Sequence, residues 1–211
     1  TDATTLTVAT STSTVTPKGL TISGLTGVDR VYDGTTTATV SGTAALSGIV
    51  NSDDVSISGT HEYTFADANA GTSKPITASG FTLSGTDADN YTLAQPTGLT
   101  ATISKANQTI TTIATTVSKT FGDETYSIAT TASSGLAVTY ASSNTAVATV
   151  AANGTVTIVG GGTATLTASQ SGNGNYNAAT SVTQELTVGK GNQTITLAAT
   201  ATKTTTDAPY T

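Results

Sequence analysis

The strongest constraint on this chain is an internal repeat. Lys105-Ala-Asn-Gln-Thr-Ile-Thr111 returns 85 residues later as Lys190-Gly-Asn-Gln-Thr-Ile-Thr196. The same offset relates Asn90-Tyr91 to Asn175-Tyr176, and in both places a lysine, Lys105 or Lys190, follows the tyrosine by 14 residues. A fixed period means that one structural unit is written more than once, so a fold that suits one copy must suit the next. Fainter echoes continue the pattern. Lys119-Thr-Phe-Gly-Asp123 with Tyr126 is matched by Lys203-Thr-Thr-Thr-Asp207 with Tyr210, and Thr5-Leu-Thr-Val8 reads like Glu185-Leu-Thr-Val188. The expected organisation is the end of a preceding repeat and a linker over 1–17, a full unit over 18–104, a second over 105–189, and the start of a further repeat over 190–211. The chain then reads as a window on a longer array.

Inside a unit the hydrophobic period is two. Val182, Gln184, Leu186 and Val188 alternate with Thr183, Glu185 and Thr187, which is the pattern of a half-buried strand. Similar runs at 108–117, 126–131, 137–141, 146–151, 155–159 and 163–169 give about seven strands, the spacing of a sandwich. The first unit repeats this with strands near 20–23, 38–41, 55–58, 61–65, 75–79, 81–84 and 98–103. Asn153-Gly154 marks a hairpin, and Ser133-Ser-Gly135 and Gly160-Gly-Gly162 mark turns. Gly160-Gly-Gly162 lacks the lysine and helix of a phosphate loop. No segment carries a helical stripe with its caps. Threonine fills 53 of 211 positions, and its branched Cβ suits a pleated sheet while its hydroxyl tolerates water. The fold class expected is all-β, as tandem sandwich domains with thin cores.

Composition removes whole classes of function. With 7 basic and 13 acidic residues the net charge is −6, which repels nucleic acid and anionic lipid. There is no cysteine and only one histidine, so thiolate chemistry, disulfides and multi-histidine metal sites lack their residues. No run of 18 apolar residues is present to span a bilayer, and residues 1–16 lack the basic start and apolar run of a signal peptide. A threonine-rich surface without oxidisable Cys or Met suits a bacterial cell exterior.

Two stretches carry a family resemblance. Val31-Tyr-Asp-Gly-Thr35, Asp53-Asp-Val55, Asn69-Ala-Gly71, Leu83-Ser-Gly85 and Asp89-Asn-Tyr-Thr-Leu93 make residues 18–104 resemble the YDG repeat domain of large secreted adhesins. Gln108-Thr-Ile110, Phe121-Gly-Asp123, Ser133-Ser-Gly-Leu136, Val138-Thr-Tyr-Ala-Ser-Ser-Asn144, Val147-Ala-Thr-Val150 and Gly174-Asn-Tyr176 make residues 105–189 resemble a bacterial Ig-like repeat. Such arrays occur in giant surface adhesins, including gliding-motility adhesins of Bacteroidetes. The resemblance implies Ig-like β-sandwiches in an elongated array, and a stalk rather than an enzyme.

Candidate sites are few. Asp87, Asp89 and Asn90 alternate in a loop and offer oxygen ligands of the kind Ca²⁺ takes; the alternative is a turn in which Asp and Asn cap their own backbone. The second unit has Gly172-Asn-Gly-Asn175 at the matching place, without a carboxylate. Asp53 and Asp54 form a second acidic loop. Tyr32-Asp33-Gly34 can offer a sugar a ring and a carboxylate, or form a turn after a short strand with Tyr32 folded over one end of the core. The recurrence of Tyr91 and Tyr176 favours a scaffold role for both. His61 and Glu62 are adjacent in a strand, so they point to opposite faces and cannot act as an acid-base pair. No catalytic residue and no required cofactor is expected. Asn90, Asn107, Asn153 and Asn192 open Asn-X-Thr triplets, which arise readily in threonine-rich sequence.

The expected function is a structural stalk or spacer of a bacterial surface adhesin, extracellular, projecting a distal binding tip, with neighbouring repeats of the same chain as partners. The alternative is an adhesive module that itself binds a glycan or another adhesin chain. The passage at 103–110 lacks a Gly, Ser or Pro run, which points to a stiff linker.

Overall fold

The computed structural model describes residues 14–197; the echoes at 5–8 and 203–210 lie outside the described residues. The chain forms two compact units. Among the described residues the first comprises 14–108 together with Gly172–Ala178, and the second comprises 109–171 with 179–197. Each is all-β, as the alternation requires.

The first unit contains β1 (Lys18–Val28), β2 (Arg30–Val31), β3 (Thr39–Ser47), β4 (Ser56–Ser58), β5 (Glu62–Phe65), β6 (Gly71–Ser79), β7 (Thr82–Ser84), β8 (Tyr91–Leu93) and β9 (Thr100–Ser104). They make sheets of order β3-β1-β8 and β2-β9-β6-β5, with β4 and β7 as a separate pair. Ala38, Phe65, Ile76, Ala101 and Ile103 are the buried core, with Val40 of β3 packed against them from the other sheet. A bulge lies between the pairs Ser23↔Ala45 and Leu25↔Gly42. Gly24 and Gly42 face each other there at positive φ, and a Cβ on Gly42 would sit 2.0 Å from the Gly24 carbonyl oxygen. Only glycine permits that approach.

The second unit contains β10 (Thr116–Thr120), β11 (Tyr126–Ser127), β12 (Thr139–Ser142), β13 (Ala148–Val150), β14 (Thr155–Ile158), β15 (Gly162–Ser169) and β16 (Val182–Gly189). Its two sheets, β10-β16-β15-β12 and β11-β14-β13, enclose Ile128, Val147, Ala148, Val156, Ala164, Leu166, Leu186 and Val188. In β16, Gln184, Leu186 and Val188 are buried while Thr183, Glu185 and Thr187 are exposed. Gln184 is tolerated inside because both ends of its amide are bonded. Its Oε1 accepts from the Tyr126 hydroxyl at 2.8 Å, and its Nε2 donates to the Ala114 carbonyl at 3.0 Å; a buried polar group without partners would be costly. The hairpin at Asn153-Gly154 joins β13 to β14, with Gly154 at φ 82°.

One device recurs in both units: strands from the early and late parts of the unit pair in parallel. β1 runs parallel to β8 and β2 to β9, while β10 runs parallel to β16 over Thr116↔Glu185 to Thr120↔Gly189. The register is equivalent, since Arg30 faces Ile103 and Lys119 faces Val188. The cations are equivalent too. Arg30 lies over the Phe65 ring at 5.3 Å and Lys119 over the Tyr126 ring at 5.1 Å, each gaining from the ring quadrupole.

Some strand expectations shift. The run at 108–117 is not one strand: Ile110 makes an isolated bridge to Ala132, and regular pairing starts at Thr116. β8 was not expected, and β2 only as the short strand before the Tyr32-Asp33-Gly34 turn. Both are short and sit where the sequence carries turn motifs, and their extended form depends on parallel partners remote in sequence.

Leu166 is fully buried. Leu166→Ala is expected to lower unfolding free energy by about 3 kcal/mol through lost transfer energy and a residual cavity. Thr187→Ala, on the exposed face of β16, is expected to change it by less than about 0.5 kcal/mol. Urea titration of both variants checks the contrast.

Candidate functional site

The Tyr-Asp-Gly motif follows β2 directly. The Tyr32 amide donates to the Ser104 carbonyl at 2.8 Å, which extends the parallel pairing by one residue. Asp33 then closes a turn, its Oδ1 accepting from the Thr35 amide and hydroxyl, each at 2.8 Å. The Arg30 guanidinium binds the other carboxylate oxygen, the Thr35 hydroxyl at 2.9 Å, and the Thr35 carbonyl. These bonds, chiefly those from Thr35, hold the Asp33 carboxyl below its ordinary value of 3.8. Tyr32 is half-buried against the core, and its ring meets Tyr176 edge to face at 5.4 Å. Asp67 makes a second such turn. It accepts from the Asn69 amide at 2.8 Å and pairs with Lys74 at 2.6 Å, and its carboxyl is lowered, mainly by Lys74.

The two acidic loops, separate in sequence, are tied together. The Asp54 amide donates to Asp87 Oδ2 at 2.8 Å, and Asp54 Oδ2 accepts from the Thr86 amide and hydroxyl at 3.1 Å. Asp53 accepts from the Tyr91 hydroxyl at 2.7 Å, and that oxygen accepts from the Val50 amide at 3.2 Å. The bond to Asp53 pushes the Tyr91 phenol up from 10.0, with burial adding to it. Asp89 and Asn90 lie in a single 3-10 turn, Ala88–Asn90, that Asp87 precedes. Asp87 is therefore engaged in joining two loops. Among the described residues no three His, Asp or Glu side chains are gathered to hold a metal ion.

The Gly172–Ala178 segment is built the same way. Asn173 Oδ1 accepts from the Asn175 and Tyr176 amides at 2.8 and 2.9 Å, and Gly172 takes φ 76° where a Cβ would meet the Tyr176 carbonyl oxygen at 2.4 Å. Asn175 then uses its whole side chain. Its Oδ1 accepts from the Ala70 amide at 2.9 Å, and its Nδ2 donates to Asn69 at 3.0 Å. The sequence signal for this was the recurring Asn-Tyr pair; its partner Asn69 carried no mark of its own beyond the family motif. His61 stacks on Phe81 at 3.8 Å, and Glu62 is exposed. Among the described residues Phe121 is the exposed aromatic side chain of the Phe and Tyr set, at 53%. No helix among them is long and apolar enough to cross a membrane.

The lowered carboxyl of Asp33 sets a pH dependence with a definite sign. The fold binds the ionised form, so the stabilisation is complete above 3.8 and is lost as pH falls through the lower folded value. Asp33→Asn is expected to denature at lower urea than the parent near neutral pH, with the gap closing in acid. A gap that stays constant with pH would assign the effect to shape alone.

Comparison with known proteins follows this division of the chain. Residues 16–98 match the model of the YDG domain, and residues 124–172 match that of the intimin immunoglobulin-like domain. No curated protein matches. Among solved structures, Drosophila N-cadherin EC1-3 is 8% identical with a TM-score of 0.33, over 83% of this chain and 69% of that one. Human protocadherin-24 EC1-2 is 11% identical with a TM-score of 0.32, over 79% of this chain and 99% of that one. The two domain matches agree with a bacterial surface adhesin that carries Ig-like repeats.

Proposed function

We propose that this chain is a tension-bearing spacer segment of a bacterial surface adhesin, outside the cell, with its repeats in series. The observation that carries the reading is the parallel pairing of early and late strands in each unit. Tension enters a domain at one chain end and leaves at the other. When the two strands that receive it are parallel neighbours, they are drawn past each other along the ladder. Their hydrogen bonds are then strained together, whereas antiparallel neighbours pulled from adjacent ends open one bond at a time. In the second unit the paired stretch runs from Thr116 to Thr120 against Glu185 to Gly189.

The intimin immunoglobulin-like match supports a surface role, and the threonine-rich, weakly charged surface fits an outer position. The turns at Asp33, Asp67 and Asp87 serve in this reading as loop closures, and the Asp87, Asp89 and Asn90 turn works without calcium. Melting with Ca²⁺ and with a chelator is expected to give the same midpoint; a rise with Ca²⁺ would make that turn a metal site. Among the described Phe and Tyr side chains, the adhesive-module alternative has one exposed ring, Phe121, to offer a glycan, where a sugar platform uses several.

Single-molecule pulling separates the readings. Pulled from its two ends, the second unit is expected to resist a severalfold higher force than when pulled through attachment points at Thr139 and Ser169, which are opposed at one end of an antiparallel pair. Equal forces in the two directions would overturn the proposal.

A further inference from the structure

The two units share a register, and superposing their pairings aligns six residues at one end of each. Tyr32 and Phe121 are equivalent, because each donates its amide to the carbonyl of the residue ending the parallel partner strand, Ser104 at 2.8 Å and Gly189 at 2.9 Å. Gly71 pairs with Ile103 as Gly162 pairs with Val188, so Asn69 and Ala70 correspond to Gly160 and Gly161. The 85-residue repeat makes Lys105, Ala106 and Gln108 the counterparts of Lys190, Gly191 and Gln193.

In the first unit all six residues of this set touch the Asn-Tyr segment. Tyr32 meets the Tyr176 ring, and Asn69 and Ala70 bind the Asn175 side chain. Lys105 Nζ donates to the Asn173 carbonyl at 2.7 Å. The Ala106 amide donates to Asn175 and its carbonyl accepts from Asn177, both at 2.9 Å, and Gln108 Nε2 donates to the Asn177 carbonyl at 2.7 Å. In the second unit the six equivalents, with Val159, line an open groove of 510 Å³. The chemistry for the same ligand is retained. Phe121 keeps the ring, Lys190 the ammonium and Gln193 the amide, and the backbone groups of Gly161 and Gly191 stand where those of Ala70 and Ala106 do. One bond is lost, since Gly160 has no side chain to replace Asn69.

We infer that this groove is a docking site for a Gly-Asn-Gly-Asn-Tyr-Asn loop, the counterpart of residues 172–177, supplied by a further repeat of the Ig-like kind. The first unit shows what such a groove binds, and the repeated motif at Lys190 shows that the second is built to the same plan. Exposure agrees: Gln108 and Ile110 are buried, whereas their counterparts Gln193 and Ile195 are exposed, Ile195 by 84%. An exposed Ile195, two residues after the groove-lining Gln193, and an exposed Phe121 together match a surface that a partner covers. The inference does not depend on the chain carrying tension, because a groove of this kind can be filled in an array under no load.

The test replaces residues 198–211 with a second copy of residues 113–189, so that a complete repeat runs on from Lys190. Amide exchange at Gly161 and Gly191 is then expected to slow by about tenfold or more. An extension copied with Asn175→Ala and Tyr176→Ala should not slow it. Unchanged exchange with the parent extension, its own core being protected, would overturn the inference, as would equal slowing by the alanine form. A second measurement uses the chain without any extension. Asn175→Ala should speed exchange at Ala70 and Ala106 by a comparable factor, and unchanged exchange there would remove the template on which the assignment stands.

Discussion

The structure depends on a parallel ladder between strands far apart in sequence. In the second unit, β10 can reach β16 only after the rest of the unit has been laid down between them, so this pairing closes the domain. It places the first strand of the unit beside its last, and sets Lys119 over the Tyr126 ring. In the first unit the same arrangement sets Arg30 over Phe65 and delivers Tyr32 to the Ser104 carbonyl. Two sequences with little in common outside a few motifs thus reach one register.

Around that ladder, short polar side chains do work that larger cores leave to apolar packing. Asp33, Asp67, Asn153 and Asn173 each accept from an amide two residues ahead, so four loops are held by the same local turn. Asp54 and Asp87 join two loops across the first unit, and Tyr91 fixes a third contact through Asp53. With aromatic residues at 5% of the chain and charged residues at 9%, a thin core is supplemented by these bonds. The cost of that solution is sensitivity: each turn rests on one carboxylate or amide whose removal leaves backbone donors unpaired.

Much of this was legible in the sequence, because it is local. The alternation in β16, the Asn153-Gly154 hairpin and the turn at Asp33 each depend on residues within a few positions of one another. The 85-residue offset was legible because it is written as identity. What escaped is what the chain determines at long range. β8 carries turn-like sequence, and both it and β2 are held as strands by partners more than 70 residues away in sequence. The acidic loops at Asp53 and Asp87 read as two separate features, and nothing local to either says that one bonds the other. Gln108 looks like a solvent residue until its partner, the Asn177 carbonyl, is seen, and the alternation puts Gln184 on the inner face of β16 without naming the Tyr126 hydroxyl and Ala114 carbonyl that hold it there. Gly160-Gly-Gly162 was legible as a turn, but its place at the rim of a groove follows only from the register of β15 on β16.

The central claim is that the parallel pairing is an integral part of each domain and not a frayed margin. Native-state hydrogen exchange tests it most directly, by comparing the protected amides of Thr116–Thr120 with those of the core strand that contains Leu166 as denaturant is raised. If the claim holds, both sets converge on the same unfolding event and share its free energy and denaturant dependence. If the amides of β10 exchange through a separate opening of much lower free energy, independent of denaturant, the first strand is detachable and the account of how these domains carry tension fails.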